Sequence, residues 1–517
     1  MSAEGIAQDG ERGRSRIRPK AAERTPFLPN LQVLRGAAAL SVLLYHASVY
    51  LKATRGAATP LAVFDARFGM MGVCVFFAIS GFLMARLVAA DPPGLFLAHR
   101  IARILPPYLA VVACFALVFW VAGLGFSVNL LALTLAPTGM RTYPLNVEWT
   151  LVFEITFYLG LFVLALFGWA RRIEGFALAW LVALAASPLL LPAETRDLLM
   201  PPIHLLPFSP ANVAFAGGLL LPRLIERGRW PAWLGLVALP LAHASTGVGL
   251  DGGRWFGGVA AILLVGTAAT IRQVSALDGV GRALIRLGDA SYVLYLVHVP
   301  TILFGLAFAP RGWHWAPLWA VCVLAPLALS LVLGPWDVRS YRWLKRQIDR
   351  VPARTLLAAG LAYLAVFAGA GTYGSAIAAL EAGRRGRAEA ALDALPAEAR
   401  RSRESLEAFI RSTGRALPES VRGALDPAAP GSDVVTGWAL DPGRPDGELH
   451  LGLFCQERRA GLDAPRRRRP DIAGRPEYAV FRSRRIGYRM QTGPDCAGHL
   501  PLAVVIDDAG RMAVLPR

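Results

Sequence analysis

Long apolar runs recur along most of the chain, and their length limits what it can fold into. Each run has about 17 to 25 residues, enough for a helix to cross the hydrocarbon core of a bilayer. About eleven runs begin, in order, near Leu31, Phe68, Ile104, Trp149, Gly175, Pro207, Trp233, Arg254, Ala290, Trp315 and Thr355. With 55% of its 517 residues hydrophobic and 17% charged, the chain is too apolar for one soluble domain. The sequence therefore predicts an all-α polytopic membrane bundle of about 11 transmembrane helices.

The positive charge lies in short clusters between these runs. The net charge is +18, yet arginines such as Arg171 and Arg172 and the block at 339–354 mark the ends of spans rather than one basic face. Such clusters are typical of cytoplasmic loops, so we do not expect a nucleic-acid partner. If the Arg-rich N-terminus is in the cytoplasm, all of these clusters fall on the cytoplasmic side only when the number of spans is odd. The C-terminus is then expected across the membrane.

The remainder after the last run has a soluble character. The stretch SLEAFIRSTGRAL has apolar residues at helical spacing, and VVTGWAL, LHLGLF, GYRMQT and LPLAVVID alternate as strands do. We predict a cytoplasmic tail at 1–30, a membrane core at 31–336, a cytoplasmic loop and last span at 337–375, a helical linker at 376–430 and a small periplasmic β domain at 431–517.

The five cysteines follow the same division. Cys74, Cys114 and Cys322 lie in apolar runs and are predicted to be buried, whereas Cys455 and Cys496 fall in the exported domain, where a disulfide persists. Their pairing is a hypothesis. No spacing such as CxxC or HExxH indicates a metal site, and none is expected.

The first span contains Arg35 and His46 inside an otherwise apolar run. They are eleven residues apart, close to three helical turns, so both project from one face about 16 Å apart. Ionisable groups at such depth usually face a cavity or a partner and mark function. The alternative is that Arg35 extends to the headgroups and His46 is a neutral packing residue.

The second span and the segment after it contain two further patterns. Small residues, Gly81 among them, favour close helix approach in GMMGVCVFFAISGF, and Ser80 is able to bond within the bundle. Arg100 and Arg103 follow at i and i+3 in HRIARILPPYL. They are suited either to clamp phosphates or to anchor the helix at the cytoplasmic face, and the spacing does not decide.

The fourth and ninth spans also contain polar residues. In EWTLVFEITFY, Trp149 is predicted at the membrane interface, Glu154 and Tyr158 are i, i+4 neighbours, and Glu148 is expected to be solvated. The deeper Glu154 needs a partner, for which Arg35, an arginine of another span and His46 are candidates. In SYVLYLVH, Tyr295 and His298 share a face, and His298 is either structural or catalytic. We expect His99 to be an ordinary polar residue.

In this order, LRGAAALSVLLYH, GVCVFFAISGF, HRIARILPPYL, EWTLVFEITFY and SYVLYLVH resemble the motifs of the acyltransferase-3 family, integral membrane proteins that O-acylate glycans and other extracytoplasmic acceptors. The resemblance implies Arg35 and His46 as the essential pair of the first span, Arg100 and Arg103 as the acyl-CoA motif, and Glu154 as part of the fourth-span motif. Many relatives have an acidic residue where this chain has Cys74, so no role of that carboxylate is carried over. The tail also resembles small β modules that contain GWALDP and RPDIA.

The resemblance implies a bacterial inner-membrane enzyme with acyl-CoA, chiefly acetyl-CoA, as donor and a glycan hydroxyl as acceptor. Glycan-assembly proteins are possible partners. On this hypothesis His46 acts as a general base or relays the acyl group through its own ring. Two alternatives remain: a transporter or flippase of a lipid-linked glycan, and an inactive anchor for the β domain.

Overall fold

A computed structural model of the chain describes residues 28–55, 60, 63–126, 128–138, 143–196, 198–275, 278–310, 312–426, 434–445, 447–455, 457–465, 469–473, 475–481, 486–491, 496 and 501–516. Of the N-terminal tail predicted at 1–30, residues 1–27 lie outside the described residues. The chain divides into two compact units, Met1–Ser375 and Ala376–Arg517.

Except for the short helix Ala193–Arg196, the helices of the first unit follow the apolar runs. They are α1 (Pro29–Arg55), α2 (Ala66–Leu87), α3 (Pro93–Val121), α4 (Glu148–Leu166), α5 (Ile173–Leu190), α6 (Ala193–Arg196), α7 (Asn212–Glu226), α8 (Leu234–Ala244), α9 (Gly249–Thr270), α10 (Gly279–Phe308), α11 (Trp315–Ile348) and α12 (Ala353–Asp393), the last of which continues into the second unit.

Nine helices in the described part of the chain are long and apolar enough to cross a membrane. The other two of the predicted runs form α7, with 15 residues, and α8, with 11. The prediction of an all-α membrane bundle is confirmed, while the number of crossings depends on these two short helices. Prolines explain part of the difference, because α7 starts only after the Pro-rich segment at 201–210 and α8 contains Pro240.

The surface of the bundle is apolar, as a lipid-facing surface must be. Trp120, Leu189 and Val332 are largely exposed, whereas most of α2, α4 and α10 is buried. The predicted burial of Cys114 is wrong, because its side chain is exposed on α3. On a helix that faces lipid, a small apolar side chain is stable without being buried inside the protein. Cys74 and Cys322 are buried as predicted.

Glycines set the closest helix contacts. A Cβ at Gly288 of α10 would lie 2.1 Å from the Gln32 carbonyl oxygen, and one at Gly36 of α1 would lie 3.0 Å from the Gly288 nitrogen. A Cβ at Gly81 of α2 would lie 2.2 Å from the Phe215 carbonyl oxygen of α7. The predicted role of Gly81 in close helix approach is therefore confirmed.

The second unit contains α13 (Arg403–Ser412), α14 (Pro470–Ala473) and two antiparallel sheets. The strands are β1 (Arg422–Leu425), β2 (Val434–Leu440), β3 (His450–Cys455), β4 (Arg458–Asp463), β5 (Gly487–Gln491), β6 (Leu502–Ile506) and β7 (Met512–Val514), in the orders β1-β2-β5 and β4-β3-β6-β7.

The strand β3 shows how this unit is layered. Leu451 and Leu453 pack with Tyr488 of the other sheet, while Phe454 packs with Leu392 and the helical segments. Since side chains alternate between the faces of a strand, β3 is covered on both faces and is buried throughout. The four predicted strands and the amphipathic helix are confirmed. A disulfide joins Cys455 to Cys496, with the Cα atoms 5.3 Å apart.

Candidate active site

A cavity of ≈ 320 Å³ lies inside the first unit among α1, α2, α3, α4, α10 and α11. Three guanidinium groups line it, against one carboxylate, Glu154. Its polar lining residues are Arg35, Ser80, Arg100, Arg103, Thr150, Glu154, Tyr158, Tyr292, Tyr295 and Tyr341. Most of the remaining wall is aliphatic or aromatic. A chamber with an excess of positive charge and apolar walls is suited to an anionic group that carries an organic chain.

Arg100 and Arg103 lie one turn apart on α3 and differ in their partners. Arg103 Nη1 donates to Asp337 Oδ2 at 2.6 Å, and its guanidinium lies over the rings of Tyr292 and Tyr341 at 4.9 and 5.4 Å. Arg100 has only a long hydrogen bond, 3.4 Å, to the Tyr341 hydroxyl, and its buried Nε has no partner among the described residues. An unsatisfied guanidinium donor in a cavity is suited to bind an anion.

Arg35 contributes the third charge. Its Nη1 donates to Gln32 Oε1 at 3.3 Å, and it has no ion pair among the described residues. The carboxylates of Glu154 and Asp289 attract it, whereas the Arg103 guanidinium repels it. Arg35 therefore faces the cavity rather than the headgroups.

Glu154 is held by its own helix. Tyr158 donates to Glu154 Oε1 at 2.5 Å, as an i, i+4 pair on α4. The sequence left Arg35, another arginine and His46 as direct partners of this carboxylate. None of them lies within ion-pairing distance in the described part of the chain, although Arg35, Arg103 and Arg100 attract it from further away.

His46 has a different partner, His298. The Nδ1 atom of His46 lies 3.0 Å from Nε2 of His298, and the ring centroids are 5.0 Å apart. The other ring nitrogen of His298, Nδ1, lies 3.1 Å from the Leu294 carbonyl oxygen. His298 is 1% exposed, while His46 is only partly buried. Neither histidine lines the cavity, so the structure separates His46 from Arg35 and Glu154.

Tyr295 links the cavity to the histidine pair. Its ring packs against His298 with centroids 5.7 Å apart, and its hydroxyl donates to the Val147 carbonyl oxygen at 2.9 Å. Thr150 Oγ1 lies 2.5 Å from the same hydroxyl. Tyr295 thus lines the cavity on one side and contacts His298 on the other.

The start of α4 differs from the prediction for Glu148. Its side chain is fully buried, not solvated, because its oxygens accept hydrogen bonds from the backbone nitrogens of Leu145, at 2.7 Å, and Val147, at 3.0 Å. It therefore satisfies donors at the beginning of the helix. The adjacent Trp149 lies beneath the buried guanidinium of Arg254, 5.8 Å from the ring centroid.

His99 is also more than an ordinary polar residue. It is 3% exposed and lies 2.8 Å from Asp349 and 3.7 Å from Asp91. The His99 imidazole, with Lys345 and Arg100 further away, holds the pKa of the Asp91 carboxyl below its ordinary value. This cluster ties the turn before α3 to the end of α11.

The structure brings together most of the predicted site. Arg35, Ser80, Arg100, Arg103, Glu154, Tyr158 and Tyr295 share one cavity, and His46 pairs with His298 beyond it. The sequence missed Tyr292, Asp337 and Tyr341. Tyr292 lies one turn before Tyr295 in SYVLYLVH and was open to detection by helical spacing. Nothing in the sequence singled out Asp337 or Tyr341, which lie in the C-terminal half of the long helix α11.

The described residues contain no group of three or more His, Cys, Asp or Glu side chains placed to hold a metal ion. No curated protein and no solved structure matches the chain significantly. The model of the acyltransferase-3 family, described as an acyltransferase domain, matches residues 28–335. This match covers more than half of the chain and includes every residue that lines the cavity except Tyr341, and the chain therefore belongs to the acyltransferase-3 family of membrane proteins.

Proposed function

We propose that the protein transfers an acyl group, chiefly acetyl, from cytoplasmic acyl-CoA to a hydroxyl of an extracytoplasmic glycan. Family membership supports acyl transfer in general. The observation that supports the donor is the cavity, in which three arginines face one carboxylate and Arg100 keeps an unsatisfied donor. The phosphates of CoA are the kind of ligand that guanidinium groups bind through charge-assisted hydrogen bonds.

The apolar part of the wall suits the rest of the donor. Val73, Phe76, Phe77 and Leu83 also line the cavity. In this proposal the pantetheine arm extends along them toward Tyr295, beyond which His298 and His46 lie. No metal takes part.

The proposed orientation has the N-terminus in the cytoplasm and the C-terminal unit in the periplasm of a bacterial inner membrane. The nine long helices are an odd number, and counting α7 and α8 as crossings keeps the count odd. The Arg-rich turns and the disulfide of the second unit support this orientation. Glycan-assembly proteins are proposed as partners of that unit.

In the proposed chemistry His46 is the general base. It accepts the proton of the acceptor hydroxyl while the oxygen attacks the thioester carbon, the carbon–sulfur bond breaks, and the proton then passes to the departing thiolate. Arg35, Arg100 and Arg103 hold the donor. Glu154 limits the positive charge of the chamber.

The test compares membranes or purified protein supplied with labelled acetyl-CoA and a cell-envelope glycan acceptor. We expect His46→Ala to lose about 10²- to 10⁴-fold of the transfer rate while it still inserts and is expressed. The matched control is Arg229→Ala, an exposed arginine after α7 and away from the cavity. Full transfer by His46→Ala contradicts the role of this histidine.

A second measurement identifies the reaction in cells. Mass spectrometry of envelope glycans from wild-type and deletion strains is expected to show loss of O-acyl groups in the deletion strain. Loss of the whole glycan from the periplasm, with no change in acylation of what remains, would instead favour the transporter alternative.

A further inference from the structure

The histidine pair has a proton arrangement that the contacts determine. A backbone carbonyl only accepts hydrogen bonds, so the 3.1 Å contact between His298 Nδ1 and the Leu294 carbonyl requires a proton on that nitrogen. A neutral imidazole then has a lone pair on its other nitrogen. His298 Nε2 is therefore an acceptor, and the 3.0 Å contact requires His46 Nδ1 to donate to it.

The neutral form of His298 is required by its surroundings. The side chain is 1% exposed, and no carboxylate lies within 4 Å of either histidine in the described part of the chain. An imidazolium buried without a counter-charge is costly in free energy. With His298 neutral, the proton order runs from His46 to His298 to the Leu294 carbonyl.

We propose that His298 is a positioning residue that fixes His46 in the tautomer with a proton on Nδ1, so that Nε2 is the basic nitrogen of the reaction. The inference rests on the proposed function for its consequence in catalysis. Of the two histidines, His46 is partly exposed and His298 is buried. In this proposal His46 therefore contacts the substrate and His298 contacts only His46 and the protein around it. As His46 Nε2 takes the hydroxyl proton, the hydrogen bond to His298 becomes charge-assisted and stabilises the imidazolium.

The helix packing keeps the pair in register. Gly36 contacts Gly288, and His46 contacts His298, so the same ten-residue step separates the two contacts on each helix. The helices α1 and α10 therefore run in the same direction, side by side over about 15 Å. The backbone contact at the glycines places the two rings opposite each other.

The first test observes the tautomer directly. Protein labelled with ¹⁵N-histidine is compared with His46→Ala, which assigns the His46 signals, and with His204→Ala, an exposed histidine that serves as a control. We expect a protonated Nδ1 and an unprotonated Nε2 for His46. A protonated Nε2 on His46 in the wild-type protein overturns the proposal, whatever the activity.

The second test measures turnover. We expect His298→Ala to lower kcat about 10²-fold, with the KM for acyl-CoA changed less than about threefold, because the arginines proposed to hold the donor line a cavity that His298 does not. His298→Gln places an amide oxygen near the former Nε2 and is expected to recover part of kcat. A fall in kcat that is accompanied by an equally large rise in KM contradicts a positioning role. Equal activity of His298→Ala and His298→Gln contradicts it as well. A correct tautomer in a wild-type protein that transfers no acyl group contradicts the proposed function alone.

Discussion

Asp337 of α11 accepts a hydrogen bond from Arg103 of α3, with 2.6 Å between Oδ2 and Nη1. The aspartate side chain is 6% exposed and the arginine 21%, so the pair is largely buried. Arg100, one turn earlier, has no such carboxylate among the described residues. The two arginines of one motif therefore differ: Arg103 is held in place by Asp337, and Arg100 keeps an unsatisfied Nε.

This difference predicts separable effects of substitution at Arg103. Removal of one member of a buried pair leaves the other charge unpaired, so Arg103→Ala is expected to lose about 3 kcal/mol of stability. The double variant Arg103→Met/Asp337→Leu is expected to recover most of it. Thermal unfolding in detergent measures both. An Arg103→Ala protein as stable as the wild type contradicts the pair.

The affinity for the donor is expected to depend on the arginines themselves and not on the stability of the pair. Loss of a charge-assisted bond to phosphate costs about 1.5 to 3 kcal/mol, so Arg100→Ala and the double variant are both expected to bind CoA at least tenfold more weakly. Calorimetry with CoA provides the measurement, and Arg229→Ala is the control. Wild-type affinity in Arg100→Ala would place the phosphates elsewhere.

Substitution of Glu154 is expected to change the affinity for CoA in the opposite direction. It is the only carboxylate among the described residues that line the cavity. At an effective dielectric constant of 20, a charge about 10 Å from an anion is worth roughly 1.5 kcal/mol. Glu154→Gln is therefore expected to tighten CoA binding by up to about tenfold. Tyr158→Phe keeps the charge and is the matched control. Weaker binding by Glu154→Gln would mean that Glu154 holds Arg35 in its binding position.

Much of this site follows from elementary sequence rules. Apolar length predicts the helices, and the cost of ionisable groups in lipid points to Arg35, His46 and Glu154 before any contact is known. What the sequence did not determine is which group meets which. His46 and His298 are 252 residues apart, and only the packing of α1 against α10 joins them.

Two of the wrong expectations, for Glu148 and His99, have a common cause. Glu148 and His99 lie near predicted span ends, where solvation is the ordinary expectation, yet backbone nitrogens and aspartates surround them. Whether such a residue is buried depends on the turns beside it, and the hydropathy of a span contains no information on those turns. The strands of the second unit were predictable because their alternation is local.

The disulfide gives a prediction for the second unit. Cys455 and Cys496 close a loop of 41 residues, for which loop entropy indicates about 4 kcal/mol of stabilisation. Cys455→Ser/Cys496→Ser is therefore expected to lower the unfolding temperature of this unit. In a background with Cys74, Cys114 and Cys322 changed to Ala, we expect maleimide labelling only after reduction. Labelling of both thiols without a reductant contradicts the bond.

Asp91 gives a pH dependence. The pKa of its carboxyl is lowered in the folded protein, chiefly by His99, so its contribution to stability is present above the unfolded pKa and is lost as the pH falls through the folded one. Asp91→Asn is expected to be less stable than the wild type at neutral pH. The difference should shrink below roughly pH 4. Thermal unfolding across this range measures it, and a difference that does not change with pH contradicts the assignment.

The close contact of α1 and α10 predicts the effect of one methyl group. At Gly288 a Cβ meets the Gln32 carbonyl oxygen at 2.1 Å, so Gly288→Ala must push the helices apart, at a cost of about 1 to 3 kcal/mol. It should also separate His46 from His298 and lower the rate of acyl transfer.

Gly305, on the same helix, supplies the control. A Cβ there meets nothing within 4 Å, so Gly305→Ala is expected to leave transfer unchanged and to gain up to about 1 kcal/mol from helix propensity. Unfolding temperature and transfer rate are compared in the two variants. Because the same change is made on one helix, a loss in Gly288→Ala alone assigns the effect to the contact with α1, and equal behaviour of the two contradicts it.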